Sequence, residues 1–139
     1  MDERRRSLAP TGLDEDVERL AARVIGAALE VHSQLGPGFI ESVYEAALCV
    51  ELEMRGVTFV QQAPISLNYK GRLVGEGRLD LLVGNILIVE LKAVEALTAV
   101  HTAQVLSYLK ITGLQLGLLI NFNVASLRQG IRRIILSKH

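Results

Sequence analysis

The sequence predicts an α/β fold, a mixed central sheet flanked by helices. Three observations carry this. Apolar residues recur at helical spacing over 13–34 and again over 40–55; the period changes to that of a strand from Thr58 onward; and apolar strand segments then bracket one more helical stretch at 98–112. The order helix, helix, three or four strands, helix, strand, strand is that of a layered α/β domain. Short turns join the middle strands, so these should be antiparallel. The helix at 98–112 should return the chain to a parallel neighbour in the right-handed sense.

Taken in order, residues 1–12 read as a mobile arm and residues 13–139 as a single domain. The Arg4-Arg5-Arg6 run in the arm is a solvated terminus or a phosphate contact. In the first helix Val17, Leu20, Val24, Ala28 and Val31 form the stripe, Asp14 or Asp16 can cap it, and His32 suits the negative end of its dipole. Gly36-Pro37-Gly38 breaks the chain. The second helix, Ile40 to Arg55, ends at Gly56. Glu41, Tyr44, Glu45 and Leu48 share one of its faces, and Val43, Ala46, Ala47 and Val50 supply an apolar one. Thr58–Gln62 reads as a short strand punctuated by Pro64, Ile65–Lys70 as an alternating one, Lys70-Gly71-Arg72 as a turn, and Arg78–Val83 and Ile86–Ala93 as strands around a tight Gly84-Asn85 loop. Thr98 caps the third helix and Gly113 ends it. Leu116–Phe122 has the continuous apolar run of a strand buried on both faces. Ile131–Leu136 is a last strand, with Arg132 and Arg133 at an edge.

At 139 residues, half of them hydrophobic, the chain can bury one core of ordinary size. Its formal net charge is zero, which argues against binding nucleic acid through bulk positive charge but leaves room for a local basic groove. The single cysteine, Cys49, cannot form an internal disulfide and reads as a small buried hydrophobe; a reducing cytoplasm fits. No signal-peptide core follows Met1 and no apolar run is long enough to span a bilayer, so neither secretion nor a membrane is expected. Aromatic residues make up only 4% of the chain, too few for an extended base-stacking platform.

The chemistry concentrates between Asp80 and Lys92. Asp80 lies in one apolar strand, and Glu90 and Lys92 lie in the next. Buried unpaired charges cost several kcal/mol, roughly, so these groups should meet where a metal ion or a partner charge satisfies them. Glu90 and Lys92, two apart, share a face, and Asp80 should point with Leu82, opposite to Leu79, Leu81 and Val83. A two-residue loop at Gly84-Asn85 would pair Asp80 with Val89 and throw Glu90 to the other face. The two carboxylates meet only if the connection carries an extra residue. Asp80, Glu90 and the Leu91 carbonyl would then suit Mg²⁺ or Mn²⁺, which prefer hard oxygen donors; one cysteine and scattered histidines make zinc a poor fit. Glu41 can add a ligand from the second helix, Lys92 can orient a water or stabilise charge on phosphorus, and Gln104 and Tyr108, on one face of the third helix, can hold the ligands or a phosphate. Lys70, Arg72 and Arg78 can form a local positive rim. Each has an ordinary reading alone: a strand Glu-x-Lys is commonly an exposed ion pair, and Glu41 commonly helix surface. The set, in order on these elements, points to a site.

These residues resemble a known family. Asp80 followed by Glu90-Leu91-Lys92 is similar to the motif of the PD-(D/E)xK nuclease superfamily, whose helix, three strands, helix and strand match the reading between about 39 and 123. Gln104 with Tyr108 is similar to the Gln-x-x-x-Tyr element of its RecB-like branch. Gly38-Phe39-Ile40-Glu41-Ser42-Val43-Tyr44, preceded by Leu35-Gly36-Pro37, resembles the signature of the GxxExxY proteins. Leu79 stands where the superfamily often has proline. The resemblance, from about Val24 to Leu136, implies a restriction-endonuclease-like core and a nuclease needing Mg²⁺ or Mn²⁺. Asp80 and Glu90 would be its ligands, Lys92 its catalytic lysine, Glu41 the helix carboxylate, and Gln104 and Tyr108 a supporting pair. It supplies no substrate. The expected activity is hydrolysis of DNA or RNA. The alternatives are a non-catalytic module that keeps the nuclease fold to bind nucleic acid or a protein partner, and, compatible with either, a homodimer.

Overall fold

The computed structural model describes residues 7–136. Helices α1 (Glu15–Leu35) and α2 (Glu41–Met54) precede strands β1 (Phe59–Tyr69), β2 (Arg72–Val83) and β3 (Leu87–Lys92). Helix α3 (Ala99–Thr112), β4 (Leu116–Asn121), a 3₁₀ turn (Leu127–Gly130) and β5 (Ile131–Ile135) follow. The strands form one sheet in sequence order, antiparallel except for β3 and β4, which run parallel across the α3 crossover. This is the mixed α/β layer that the hydrophobic periods imply.

One core lies on each face of the sheet. Val17, Ala21, Val24 and Ala28 of α1 and Tyr44, Leu48 and Leu52 of α2 pack against Leu81, Val83, Val89, Leu91, Leu118 and Ile120. Val105 and Leu109 of α3 pack against Leu79, Ile88, Leu119 and Ile134. Strand β4 is buried along its whole length, as its unbroken apolar run requires. Gly117 on β4 lets α3 approach: a Cβ there would sit 2.5 Å from Val105 Cγ1.

Several local expectations are corrected. Strands β1 and β2 form one long hairpin: β1 runs unbroken through Pro64, and β2 begins at Arg72 instead of Arg78. Proline is tolerated because β1 is an edge strand and needs no outward N–H. The Gly-rich start of β2 is held by the ladder to β1, which overrides weak strand propensity. The face of α2 expected to be apolar and packed is not the buried one: Ala46 and Val50 are exposed, while Tyr44, Leu48, Cys49 and Leu52 face inward. Apolar residues fall on more than one side of α2, so its pattern does not choose a face, and the ring of Tyr44 is held inward by stacking on Phe122 at 4.7 Å. Its hydroxyl donates to the Gly36 carbonyl at 2.6 Å and accepts from the Phe39 N–H at 3.1 Å. His32 lies in the last turn of α1, as the dipole reading expects, and has a specific partner besides. It is buried, with Nε2 donating to the Val124 carbonyl at 2.8 Å.

Of the expected N-terminal arm, Arg4-Arg5-Arg6 lies outside the described residues. Residues 7–12 turn back onto the start of α1, where the Ala9 N–H donates to the Leu13 carbonyl at 2.8 Å and the Glu15 N–H to the Ser7 carbonyl at 3.0 Å. Cys49 is buried, and burial pushes its thiol up to about 11, fitting a small hydrophobe and not a nucleophile. No helix of the described residues is long and apolar enough to cross a membrane.

Two substitutions test this packing. Gly117→Ala should push α3 off the sheet and lower stability by about 1–3 kcal/mol in urea unfolding. Tyr44→Phe keeps the stacking but strips the Gly36 carbonyl and Phe39 N–H of their partner; a loss of about 1–3 kcal/mol is expected in the same experiment.

Candidate metal and active centre

The connection between β2 and β3 decides whether the two carboxylates meet. Val83 pairs with Leu87, so the loop is Gly84, Asn85 and Ile86, one residue more than a tight hairpin. Gly84 (φ 57°) and Asn85 (φ 61°) take left-handed conformations that both residue types tolerate. The register then runs Leu82 to Ile88 and Leu81 to Val89, and its next step sets Asp80 opposite Glu90. The extra residue demanded by the coincidence of the carboxylates is present.

At that step side chains replace the backbone ladder. The Asp80 N–H donates to Glu90 Oε2 at 2.6 Å, and the Leu91 N–H donates to Asp80 Oδ2 at 2.8 Å. Each carboxylate thus satisfies the other strand's backbone, and both lie in the seam between the strands. Glu90 is only 3% exposed. Lys92, two residues on, has its Nζ 3.4 Å from Gln104 Oε1, and Gln104 Nε2 donates to the Tyr108 hydroxyl at 3.2 Å. The Tyr108 ring lies over Gly77, where a Cβ would come within 3.6 Å of it. Past Lys92 the chain is pinned by buried Asn121, whose side chain accepts from the Val94 N–H at 3.0 Å and donates to the Val94 carbonyl at 2.9 Å.

Strict alternation fails at Asp80. Leu79 packs on the α3 side with Ile88, while Leu81 packs on the α1–α2 side, so the two do not share a face as expected. The change of face falls opposite Gln62 of β1, whose backbone is left-handed with φ 52°. The register is the same on either side of it, Gln61 pairing with Leu81 and Ala63 with Leu79. Gln62 Nε2 donates to Glu45 of α2 at 3.0 and 3.1 Å and to Asp80 Oδ1 at 3.4 Å; Gln61 Nε2 adds a bond to Glu45 at 2.7 Å. Neither Gln62 nor Glu45 stands out in the sequence as a site residue. The two adjacent amides are the only signal, because glutamine carries no turn signature.

The electrostatics follow from this crowding. Burial, then the Asp80 carboxylate, push Glu90 up to about 8; the Asp80 N–H and Lys92 oppose them only in part. Asp80 is raised by burial against the Leu91 hydrogen bond, and Glu41, at the first turn of α2, by burial and then by Asp80. Burial and then Glu90 raise Tyr108, keeping its phenol protonated. Lys92 opposes this crowding of carboxyl groups: Glu41, Asp80 and Glu90 all feel that lysine.

The remaining residues of the expected rim divide. The Arg78 guanidinium is 3.4 Å from the Gln62 carbonyl, beside the centre. Lys70 and Arg72 lie at the hairpin tip. Arg72 is eight residues before Asp80 on β2, about 26 Å away at the rise of a strand. Lys70 Nζ instead sits over the Tyr69 ring, 5.4 Å from its centre. Among the described residues, no three His, Cys, Asp or Glu side chains converge closely enough to cage an ion as they stand. Asp80 and Glu90 each commit one oxygen to a backbone N–H, and the second oxygen of Asp80 accepts from Gln62. What the centre offers is therefore a buried carboxylate, Glu90, facing a half-buried one, Asp80, oxygen donors only, with an acid excess.

Fold and centre together define an α/β protein with an Asp–Glu–Lys cluster set on adjacent strands of a mixed sheet. Residues 18–134 match the family model of the PD-(D/E)XK nuclease superfamily. That match covers most of the chain, including every residue of the centre, and the chain belongs to this superfamily. No curated protein matches it.

The raised Glu90 makes the metal-free protein sensitive to pH. Its folded form holds the proton up to about 8, whereas an unfolded glutamate loses it near 4.5. Its contribution is present below the lower value and is lost as pH rises through the higher one. Denaturant unfolding between pH 5 and 9 should therefore show stability falling with pH, to which Asp80 and Glu41 add in the same direction. Glu90→Gln, which still accepts the Asp80 N–H, should flatten the slope and gain on the order of 2 kcal/mol at the alkaline end.

Proposed function

We propose that this chain is a divalent-metal-dependent nuclease that hydrolyses phosphodiester bonds of DNA or RNA. The observation that carries the reading is the facing of Asp80 and Glu90 in the β2–β3 seam, two residues from Lys92, in a chain of a nuclease superfamily. On the motifs Gly38 to Tyr44 and Gln104 to Tyr108, we also assign it to the GxxExxY proteins and the RecB-like branch.

Asp80, Glu90 and the Leu91 carbonyl would hold Mg²⁺ or Mn²⁺, with Glu41 as a further ligand. The oxygen-only donor set fits ions that take few protein carboxylates and keep several waters. Such an ion supplies charge neutralisation at the phosphate and a more acidic water. The chain's own groups do the rest. Lys92 places a cation beside the scissile phosphate and orients the attacking water; Gln104 holds the ammonium by its amide oxygen, and Tyr108 holds Gln104. Tyr108, kept protonated, remains a donor to a phosphate oxygen. Arg78 meets the flanking backbone. Lys70 and Arg72, on the extended hairpin, would reach nucleic acid only well away from the cut.

The rival is a non-catalytic binding module. It draws on the zero net charge and on the bonds that both carboxylates make to backbone N–H groups. Cleavage assays separate the two. Single-stranded, double-stranded and branched DNA and RNA are offered with Mg²⁺ or Mn²⁺. At least one should be cut, chelator should stop it, and Lys92→Ala or Asp80→Ala should slow it by about 100-fold or more. Variants that cut as fast as the parent would refute the assignment.

A further inference from the structure

We propose that Gln62 is a positioning residue that aims Asp80, and with it Glu45, at a bound divalent ion. The inference rests on the metal-site reading above. It goes beyond that reading by giving a role to a residue of the edge strand that belongs to none of the motifs.

Gln62 is a non-glycine residue with left-handed φ (52°) in the middle of a strand. Such a backbone persists only where its surroundings impose it. No turn accounts for it, since β1 stays paired to β2 at Gln61 and again at Ala63. What the conformation accompanies is a bridge. The Gln62 amide nitrogen spans Glu45, at 3.0 and 3.1 Å, and Asp80 Oδ1, at 3.4 Å. Only the nitrogen end can face two carboxylates, because an amide oxygen there would be repelled by both. Asp80 is then held at both oxygens, Oδ2 by the Leu91 N–H and Oδ1 by Gln62. Its rotation is fixed, and the lone pairs left for a cation point one way.

The chemistry of the bridging group matters. Asp80 and Glu45 are like charges that share one amide nitrogen as hydrogen-bond donor. A lysine or arginine between them would end the repulsion by cancelling the charge that draws a cation. A neutral amide holds the two carboxylates in place and leaves that charge intact. It also ties the start of α2, which carries Glu41, to β2, so one residue couples the helix carboxylates to the strand carboxylates.

The test separates positioning from fold. Mn²⁺ alone is titrated calorimetrically into the parent, Gln62→Gly and Gln62→Asn, and the thermal midpoint of each metal-free protein is measured. Glycine and asparagine both accept the left-handed backbone, so both variants should still unfold cooperatively, with midpoints lowered only modestly by the lost amide bonds. Neither carries an amide long enough to bridge Glu45 and Asp80, so Mn²⁺ affinity should fall about 10-fold or more. If the parent binds Mn²⁺ and both variants bind it equally well, Gln62 has no positioning role. If the parent itself binds no Mn²⁺, the metal-site reading falls, and this role with it.

Discussion

The structure turns on one exchange. Where Asp80 faces Glu90, β2 and β3 give up backbone pairing and each strand's N–H is taken by a carboxylate instead. A ladder bond joins neutral groups; here each acceptor is an anion, so two like charges are brought together inside a sheet. Hydrogen bonding to charged acceptors makes this tolerable, but burial still raises both carboxylates, and the Asp80 charge adds to burial in lifting Glu90 to about 8. The seam is thus a place where folding has left an electrostatic demand unmet. Membership of a nuclease superfamily gives that demand a chemical sense.

The rest of the fold serves to keep the seam in place. Two cores clamp the sheet from either side, so neither strand can slide to relieve the repulsion. Helix α3 reaches the sheet because Gly117 leaves room, and so delivers Gln104 and Tyr108 to Lys92. Helix α2 is held at its first turn by Tyr44, whose ring and hydroxyl are both used in packing. Within the segment Gly38 to Tyr44, the glutamate and the tyrosine therefore do different work. Glu41 feels the carboxylates of the centre, while Tyr44 anchors the helix that carries it.

Much of this was legible in the chain. The helical and strand periods set the element order, and Thr98 and Gly113 mark the ends of α3. The demand for an odd residue at Gly84-Asn85 could be stated from side-chain parity alone, because a period of two allows no other way to bring Asp80 and Glu90 together. Other features were not legible, each for a physical reason. The buried face of α2 has no clear local sign, because apolar residues fall on more than one side of the helix. The first half of β2 was lost because its glycines mimic a turn, and only the ladder to β1 holds them extended. The specific partner of His32, the Val124 carbonyl, was hidden because it is 92 residues away. Lys70 and Arg72 are near Asp80 in the sequence, but an extended strand carries them far from it.

The sequence by itself determined the α/β class, the order of the elements and the residue types able to form the centre, since hydrophobic period, caps and glycine breaks are local properties. Only the tertiary structure decided which oxygens face which N–H groups, that Gln62 is left-handed opposite Asp80, and that Glu45 joins the cluster from α2. Those outcomes depend on contacts between distant segments and on a backbone conformation that glutamine does not announce. They are set by packing, which no local pattern encodes.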